Sequence, residues 1–191
     1  NQLRMKLRFL TIALLGIALT TNAQTPSVEK SIWQIQTGLI GVWINNESKL
    51  TNSVAIRSEF GLAGFWQYYG DDYTYVITPV IRLEPRWYYN FGKRIDKSRR
   101  IDNNSGNYLG LKTTFYPDLF EISNKENVTV YNQISIIPVW GIRRNIGKHF
   151  NYEVGFGIGG HYVFQNEEFN IEDEGKWTAR ADLNLRIGYA F

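Results

Sequence analysis

The sequence contains no cysteine, only five prolines, one methionine and two histidines among its 191 residues. Without cysteine the chain can form neither disulfide bonds nor thiolate metal sites. Its 21 basic and 18 acidic residues nearly balance, so the net charge does not favour a nucleic-acid partner. Aromatic residues, by contrast, make up 15% of the sequence, and there are 17 glycines. This composition favours strands and turns over helices.

The N-terminal segment has the pattern of a secretory signal peptide. Met5 is taken as the start, basic residues follow it, an apolar stretch covers 9–19, and small residues precede Gln24. We expect 5–23 to be removed by cleavage before Gln24. The apolar stretch is shorter than the ~20 residues that a transmembrane helix needs. Residues 24–191 are then predicted to form a single secreted domain.

Strict alternation of apolar and polar residues dominates the rest of the chain and is clearest over 177–191. Alternation with a period of two places one set of side chains on each face of a strand. It recurs at 32–43, 54–62, 75–89, 108–117, 134–144 and 150–162. Turn-rich segments at 45–49, 69–72 and 145–148 separate strands. We predict an all-β, antiparallel up-and-down transmembrane β-barrel of about eight strands, although only seven are identifiable and single-chain barrels normally have an even number.

The polar faces of these strands carry eleven charged residues, seven basic and four acidic. They are Arg57, Glu59, Arg82, Glu84, Arg86, Lys112, Arg143, Glu153, Arg180, Asp182 and Arg186. In a soluble barrel this set would face water, whereas in a membrane barrel it would line the interior. Buried charges need partners, so we predict a lumen filled by ion pairs and water. A narrow ion pathway that favours anions, lined by the same residues, is the alternative.

Aromatic residues concentrate near the strand ends on the apolar faces. They are Trp33, Trp43, Trp87, Tyr89, Trp140, Tyr162 and Trp177. Rings with an apolar body and a polar tip favour the boundary between lipid and water. We therefore predict an aromatic girdle and an apolar face directed toward lipid.

The final strand resembles the C-terminal signal strand of bacterial outer-membrane barrels, with Leu185, Ile187, Tyr189 and Phe191 on alternate positions. The segments 36–62, 79–94, 103–112, 134–159 and 185–191 resemble the small outer-membrane β-barrel proteins of Bacteroidota, of the OmpA/OmpX-like outer membrane protein beta-barrel type. This resemblance implies a location in the bacterial outer membrane. It also implies contact with membrane lipid and recognition by the barrel-assembly machinery. The resemblance does not identify catalytic or ligand-binding residues in this chain.

We expect a monomer without cofactor, catalytic residues or metal, whose role is structural or surface-binding through its loops and rim. Candidate contacts for an extracellular or periplasmic protein partner are Phe120, Ile122, Phe169 and Ile171, apolar residues in polar loops. The basic segment 92–106 is interpreted as a solvated loop rather than a nucleic-acid site.

Two less favoured alternatives stay open. A lipid-modifying enzyme would need a nucleophile and a base near the lipid face, and Ser58 and Thr113 have no outward histidine beside them. Of the two histidines, His149 falls in a turn and His161 on an inward position. A soluble ligand-binding barrel would require the apolar faces to point inward.

Overall fold

The computed structural model describes residues 26–69, 72–126, 128–164 and 175–191. The predicted signal peptide at 5–23 lies outside these ranges. Two of the predicted loop contacts, Phe169 and Ile171, also lie outside the described residues.

Eight long strands and one short strand form a single sheet. They are β1 Ser31–Gly38, β2 Gly41–Lys49, β3 Val54–Tyr69, β4 Asp72–Trp87, β5 Asn107–Tyr116, the short β6 Ile122–Ser123, β7 Gln133–Ile146, β8 Phe150–Val163 and β9 Trp177–Ala190. Each long strand pairs antiparallel with the next long strand. The last strand, β9, pairs with β1, so that Arg186–Ala190 lies opposite Gln34–Gly38. The sheet therefore closes, which confirms the predicted all-β, eight-stranded antiparallel barrel. β6 adds only two residues to the edge of β4.

In the described part of the chain, helical structure is limited to α1, Phe91–Asp96, and a 3₁₀ turn at Asp102–Asn104. Neither of these helical segments in the described ranges is long and apolar enough to cross a bilayer.

The prediction of one strand over 32–43 is wrong, and so is that of a turn over 45–49. β1 ends at Gly38, the chain reverses at residues 39–40, and 45–49 belongs to β2. The turn carries apolar residues, so its sequence looks like the interior of a strand. Gly41, with φ +139°, takes a backbone conformation that side chains disfavour. This hairpin supplies the eighth strand that the sequence pattern does not resolve.

The closed topology gives the barrel two unlike ends. We call the end that carries the start of β1 and the end of β9 the base, and the opposite end the mouth. The base carries the connections 50–53, 88–106 and 147–149. The mouth carries residues 39–40 and the described residues 117–126 and 128–132 of the connection between β5 and β7.

The two faces of the wall differ sharply in polarity. At the outward-facing strand positions whose side chains the structure describes, Arg144 is the only charged residue. Large apolar side chains such as Leu83, Phe156 and Leu183 lie exposed there. Arg57, Arg86 and Arg143 point inward and are almost completely buried. The barrel therefore has an apolar exterior and a charged interior.

Segment 88–106 folds across the base and closes the lumen. Phe91 stacks on Tyr88 with ring centroids 5.0 Å apart, and both pack in an apolar cluster with Val28. Arg94 is buried and donates hydrogen bonds to the Arg100 carbonyl. The interpretation of 92–106 as a solvated loop is therefore wrong for its buried side chains, because packing of its apolar residues draws the segment over the lumen.

Gly141 makes room inside the wall for the Tyr108 ring. A Cβ atom at position 141 would lie 2.3 Å from Tyr108 Cζ, and Tyr108 is itself held under the Arg86 guanidinium, 4.1 Å from the ring centroid. We expect Gly141→Ala to lower the free energy of unfolding by about 1–3 kcal/mol through overpacking. Urea titration of the refolded protein measures this. Gly92→Ala, where an added Cβ meets nothing within 4 Å, is the matched control and should unfold at the wild-type urea concentration or above.

Candidate functional site

The lumen gathers the charged residues of seven strands. All eleven residues predicted for the lumen network occupy inward-facing strand positions. The network lies between the closed base and the mouth, in three connected clusters.

The central cluster surrounds the fully buried Glu153. Arg57 Nη1 lies 2.9 Å from Glu153 Oε2, and Arg86 Nη1 lies 3.2 Å from Glu153 Oε1. Arg143 Nη1 is 3.7 Å from the same Oε1. Arg86 also pairs with a second carboxylate, because its Nη2 lies 2.9 Å from Glu84 Oε2. One carboxylate thus neutralises parts of three guanidinium groups that come from different strands.

The cluster nearest the base centres on Glu47, which the sequence analysis missed. Arg143 Nη1 lies 3.0 Å from Glu47 Oε2. Glu47 Oε1 accepts hydrogen bonds from the Tyr88 hydroxyl at 2.7 Å and from Asn104 Nδ2 at 2.5 Å. Asn104 Oδ1 in turn accepts from the backbone N–H of Glu29. Glu47 therefore fastens the base segment to the strands. It was missed because 45–49 was interpreted as a turn; the alternation of β2 identifies it once the hairpin is known.

The cluster toward the mouth centres on Glu59. This carboxylate pairs with Arg57 at 2.9 Å and also with Arg82 and Arg186. The Arg186 guanidinium lies 4.1 Å from the centroid of the Trp43 ring, and that of Arg82 lies 5.1 Å from it. The assignment of Trp43 to the aromatic girdle is therefore wrong: its side chain is inside the lumen and only 5% exposed. The turn at 39–40 shifts the parity of the alternation, so Trp33 faces outward and Trp43 inward.

Two further pairs of side chains lie nearer the mouth. Lys112 Nζ pairs with Asp182 Oδ2 at 2.6 Å. Arg180 Nη1 lies 3.2 Å from His161 Nδ1, and its guanidinium sits over the Tyr116 ring at 5.6 Å.

Neutral amides fill the remaining lumen space. Gln34 Oε1 accepts from Arg143 Nη2 at 2.6 Å and from Asn151 Nδ2 at 3.2 Å, and Gln34 Nε2 donates to Asn45 Oδ1. Gln36 accepts from Arg57. These four side chains are at most 1% exposed. Polar side chains thus fill the middle of the lumen to the exclusion of a wide channel.

Six of the seven predicted girdle aromatics lie on the outer surface. Trp33, Trp87, Tyr89 and Trp140 lie toward the base, where Trp140 Nε1 donates to the Tyr89 hydroxyl at 2.8 Å. Tyr162 and Trp177 meet at the mouth with ring centroids 5.4 Å apart. These six aromatics therefore lie in two groups, one toward the base and one at the mouth.

The four residues of the predicted assembly signal also face outward. Leu185, Ile187 and Tyr189 are exposed on β9. The Phe191 ring packs edge-on against Tyr189 at 5.5 Å, and its backbone N–H donates to the Trp33 carbonyl. Of the predicted loop contacts, Phe120 and Ile122 are about half exposed, at 49% and 50%, near the mouth.

The histidines and hydroxyls do not assemble into a triad in the described part of the chain. Ser58 lies on β3 and Thr113 on β5, both facing outward, whereas His161 lies inward on β8. His149 contacts the Ala190 carbonyl and stacks on Tyr189. Within the described ranges, no three carboxylate or histidine side chains cluster in a way that could hold a metal ion.

Titratable groups at the base are perturbed by their neighbours. Burial, together with the nearby Glu47 carboxylate, raises the pKa of the Tyr88 hydroxyl well above its usual value. Hydrogen bonds from Arg100 lower the pKa of Asp102. Burial, with Arg99 close by, lowers the pKa of Arg94. The Tyr88 hydroxyl is therefore held in its neutral form, which can donate to Glu47.

Comparison with protein-family models, with curated proteins and with solved structures gives no match to this chain.

Tyr88→Phe tests the connection between the base and the lumen. Loss of the hydroxyl removes a buried hydrogen bond to an ionised carboxylate, so we expect a loss of about 1.5–3 kcal/mol in the free energy of unfolding. Tyr73→Phe, at an exposed ring near the mouth, is the matched control and should be neutral. Equal urea midpoints for Tyr88→Phe and the wild type would contradict the role given to this contact.

Proposed function

We propose that this chain is an integral outer-membrane β-barrel protein with a plugged lumen, which acts as a structural or surface-binding component through its loops and rim. The observation that carries the proposal is the inverted polarity of the wall. Apolar side chains cover the outside, Arg144 is the single charge at the described outward strand positions, and ion pairs fill the inside.

A soluble barrel is a poor fit to this arrangement. It would bury its apolar set and show its charges to water, whereas here Arg57, Glu47 and Glu153 are buried and Leu183 and Ile187 are exposed. Exposure of so large an apolar surface to water favours association or insertion into lipid. The two groups of outer aromatic rings, one toward the base and one at the mouth, resemble the girdles of membrane barrels.

The strand lengths support the same proposal. β3 and β4 have 16 residues each, and β7, β8 and β9 have 14 each. A tilted strand needs about 9–11 residues to cross the hydrocarbon core. These strands are long enough to cross it and to project beyond it at the mouth.

The packed lumen favours a plug over the alternative of an ion pathway. The side chains of Arg86, Arg143 and Glu153 are at most 1% exposed, and the base segment covers one end. An ion passing through would have to displace charge pairs that stabilise the barrel. Contact with a protein partner then falls to the mouth, where Phe120 and Ile122 are exposed.

Heat-modifiable gel migration with vesicle flotation tests the proposal. Refolded with lipid vesicles, the protein should float with them, and its unboiled form should migrate faster than its boiled form. In a planar bilayer the same sample should give no steady conductance. Protein that stays folded and dispersed in buffer without lipid or detergent would contradict the membrane assignment, and discrete channels would favour the ion pathway.

A further inference from the structure

The barrel wall is shorter on one side, because β1 and β2 end at their hairpin before the neighbouring strands do. Pairing of β1 with β9 ends at Gly38 opposite Arg186, while β9 continues to Trp177. Pairing of β2 with β3 ends at Gly41 opposite Ala63, while β3 continues to Tyr69. Within the described chain, the mouth-side parts of β9 and β3 therefore have no strand between them. We call this gap the notch.

The notch begins below the middle of the wall and extends to the mouth. Arg186, opposite the hairpin tip, is on the same strand as the outer rings of Tyr189 toward the base and Trp177 at the mouth, and Leu183 lies midway. In a membrane barrel these rings mark the two boundaries of the bilayer. The notch would then open sideways into hydrocarbon. Unpaired backbone at this depth is tolerated where it lines a polar cavity.

A cavity of about 200 Å³ lies directly behind the notch. The entrance of this cavity is apolar, with Leu39 and Leu183 both about 70% exposed. The interior of the cavity is polar and aromatic. Lining residues inside include Trp43, Ala63, Lys112, Asp182 and Arg186. The volume is smaller than the ~300–1,000 Å³ of a typical ligand site, so only the head of a ligand fits.

The cavity has one more cation than its carboxylates neutralise. Arg82, Lys112 and Arg186 line it, and among the described residues their salt bridges go to two carboxylates, Asp182 and Glu59. Glu59 is shared with the buried Arg57 as well. Arg186 is 7% exposed, and its Nε has no hydrogen-bond partner among the described residues. Buried donors without an acceptor are unfavourable, so the site is complementary to a single negative charge.

We propose that the notch binds a long-chain fatty acid, with its carboxylate near Lys112 and Arg186 and its acyl chain leaving over Leu39 and Leu183 into the bilayer. The carboxylate of a fatty acid supplies the single negative charge that the site lacks, and this group is small enough to fit the cavity. The proposal rests on the membrane location proposed above and adds a ligand class to it.

Photo-crosslinking in phosphatidylcholine vesicles tests this site. The probe is palmitate with a diazirine near the carboxylate, and labelled peptides are identified by mass spectrometry. Label is expected on the hairpin at 38–43 or on β9 at 182–186. Excess palmitate should compete, whereas methyl palmitate, which lacks the charge, should compete about tenfold less well. Equal competition by the ester, or label spread over the whole outer surface, would overturn the proposal.

Matched variants locate the head of the ligand. Ala63→Phe fills the cavity and should reduce labelling about tenfold, while Thr113→Phe adds a ring on the outer surface of β5, away from the notch, and should leave labelling unchanged. If Ala63→Phe does not fold, Lys112→Gln removes a lining cation and should also reduce labelling about tenfold, with Lys148→Gln in the base turn as its control. Wild-type labelling of Lys112→Gln would overturn the charge argument.

Two further readouts separate the possible failures. Competition by hexadecyl phosphate but not by palmitate would show that the head is a phosphate and overturn the fatty-acid assignment. Vesicle flotation is scored on the same samples. Protein that floats but is not labelled contradicts the notch site alone, whereas protein that does not float contradicts the proposed function.

Discussion

Glu153→Gln is expected to lower the free energy of unfolding by about 3 kcal/mol or more, because it removes the carboxylate on which three buried guanidinium groups converge. Arg57 and Arg86 each lie within 3.2 Å of Glu153, and the side chains of all three are at most 2% exposed. Glutamine keeps the shape of the side chain, so the loss reports charge rather than volume. Urea titration in lipid vesicles, followed by the mobility of the unboiled protein on gels, measures it.

The matched control for this change is Glu126→Gln, which replaces an exposed carboxylate in the connection after β5. It should unfold at the wild-type urea concentration, because exposed charges contribute little. A Glu153 variant as stable as the control would mean that water or another anion reaches the central arginines. The account of a dry, plugged lumen would then be wrong.

Leu111→Arg is expected to destabilise the barrel by about 2–4 kcal/mol in lipid, since an arginine near the bilayer midplane must leave water. Leu111 faces outward in the middle of β5 and is 45% exposed on the apolar surface. In a soluble barrel the same change would place a charge in water at little cost. The comparison of urea midpoints in vesicles therefore tests which solvent the outer face contacts.

Leu119→Arg provides the control for this experiment. Leu119 is 69% exposed, but it lies beyond the end of β5 at the mouth. The substitution should change stability by less than about 0.5 kcal/mol. If both arginine variants are equally stable, the outer face is not in hydrocarbon. If both are equally destabilised, the effect does not depend on depth in the membrane.

The alternation in the sequence predicts most of the wall because the period of a strand is local. From Val54 onward, the faces of β3, β4, β5, β7, β8 and β9 follow the predicted parity, so the inward charges could be named. The closed barrel itself follows from strand number and from the two-sided pattern.

The first hairpin could not be predicted in the same way. Its turn carries Leu39 and Ile40 instead of polar turn residues, so two strands appear as one. A one-residue change of parity moves the side chains of the following strand, β2, to the other face. Trp43 was therefore placed in the girdle and Glu47 was missed, although the structure places both inside.

Long-range packing explains the remaining difference. The residues of 88–106 look like a charged loop, but Phe91, Asn104 and Arg94 find their partners in the lumen and at the base. Asn104 contacts Glu29 and Glu47, which lie 75 and 57 residues away in the chain. Such pairs have no local signal in the sequence.

Because the chain has no cysteine, one introduced cysteine gives a single labelling site for the most direct test. A nitroxide at Leu111→Cys, in protein refolded in vesicles, reports its accessibility to oxygen, which dissolves in lipid, and to a water-soluble nickel chelate. Leu119→Cys at the mouth is the reference. We expect oxygen but not the chelate to reach position 111, while the chelate reaches position 119. Ready access of the chelate to position 111 would contradict the claim that the apolar outer face lies in the bilayer.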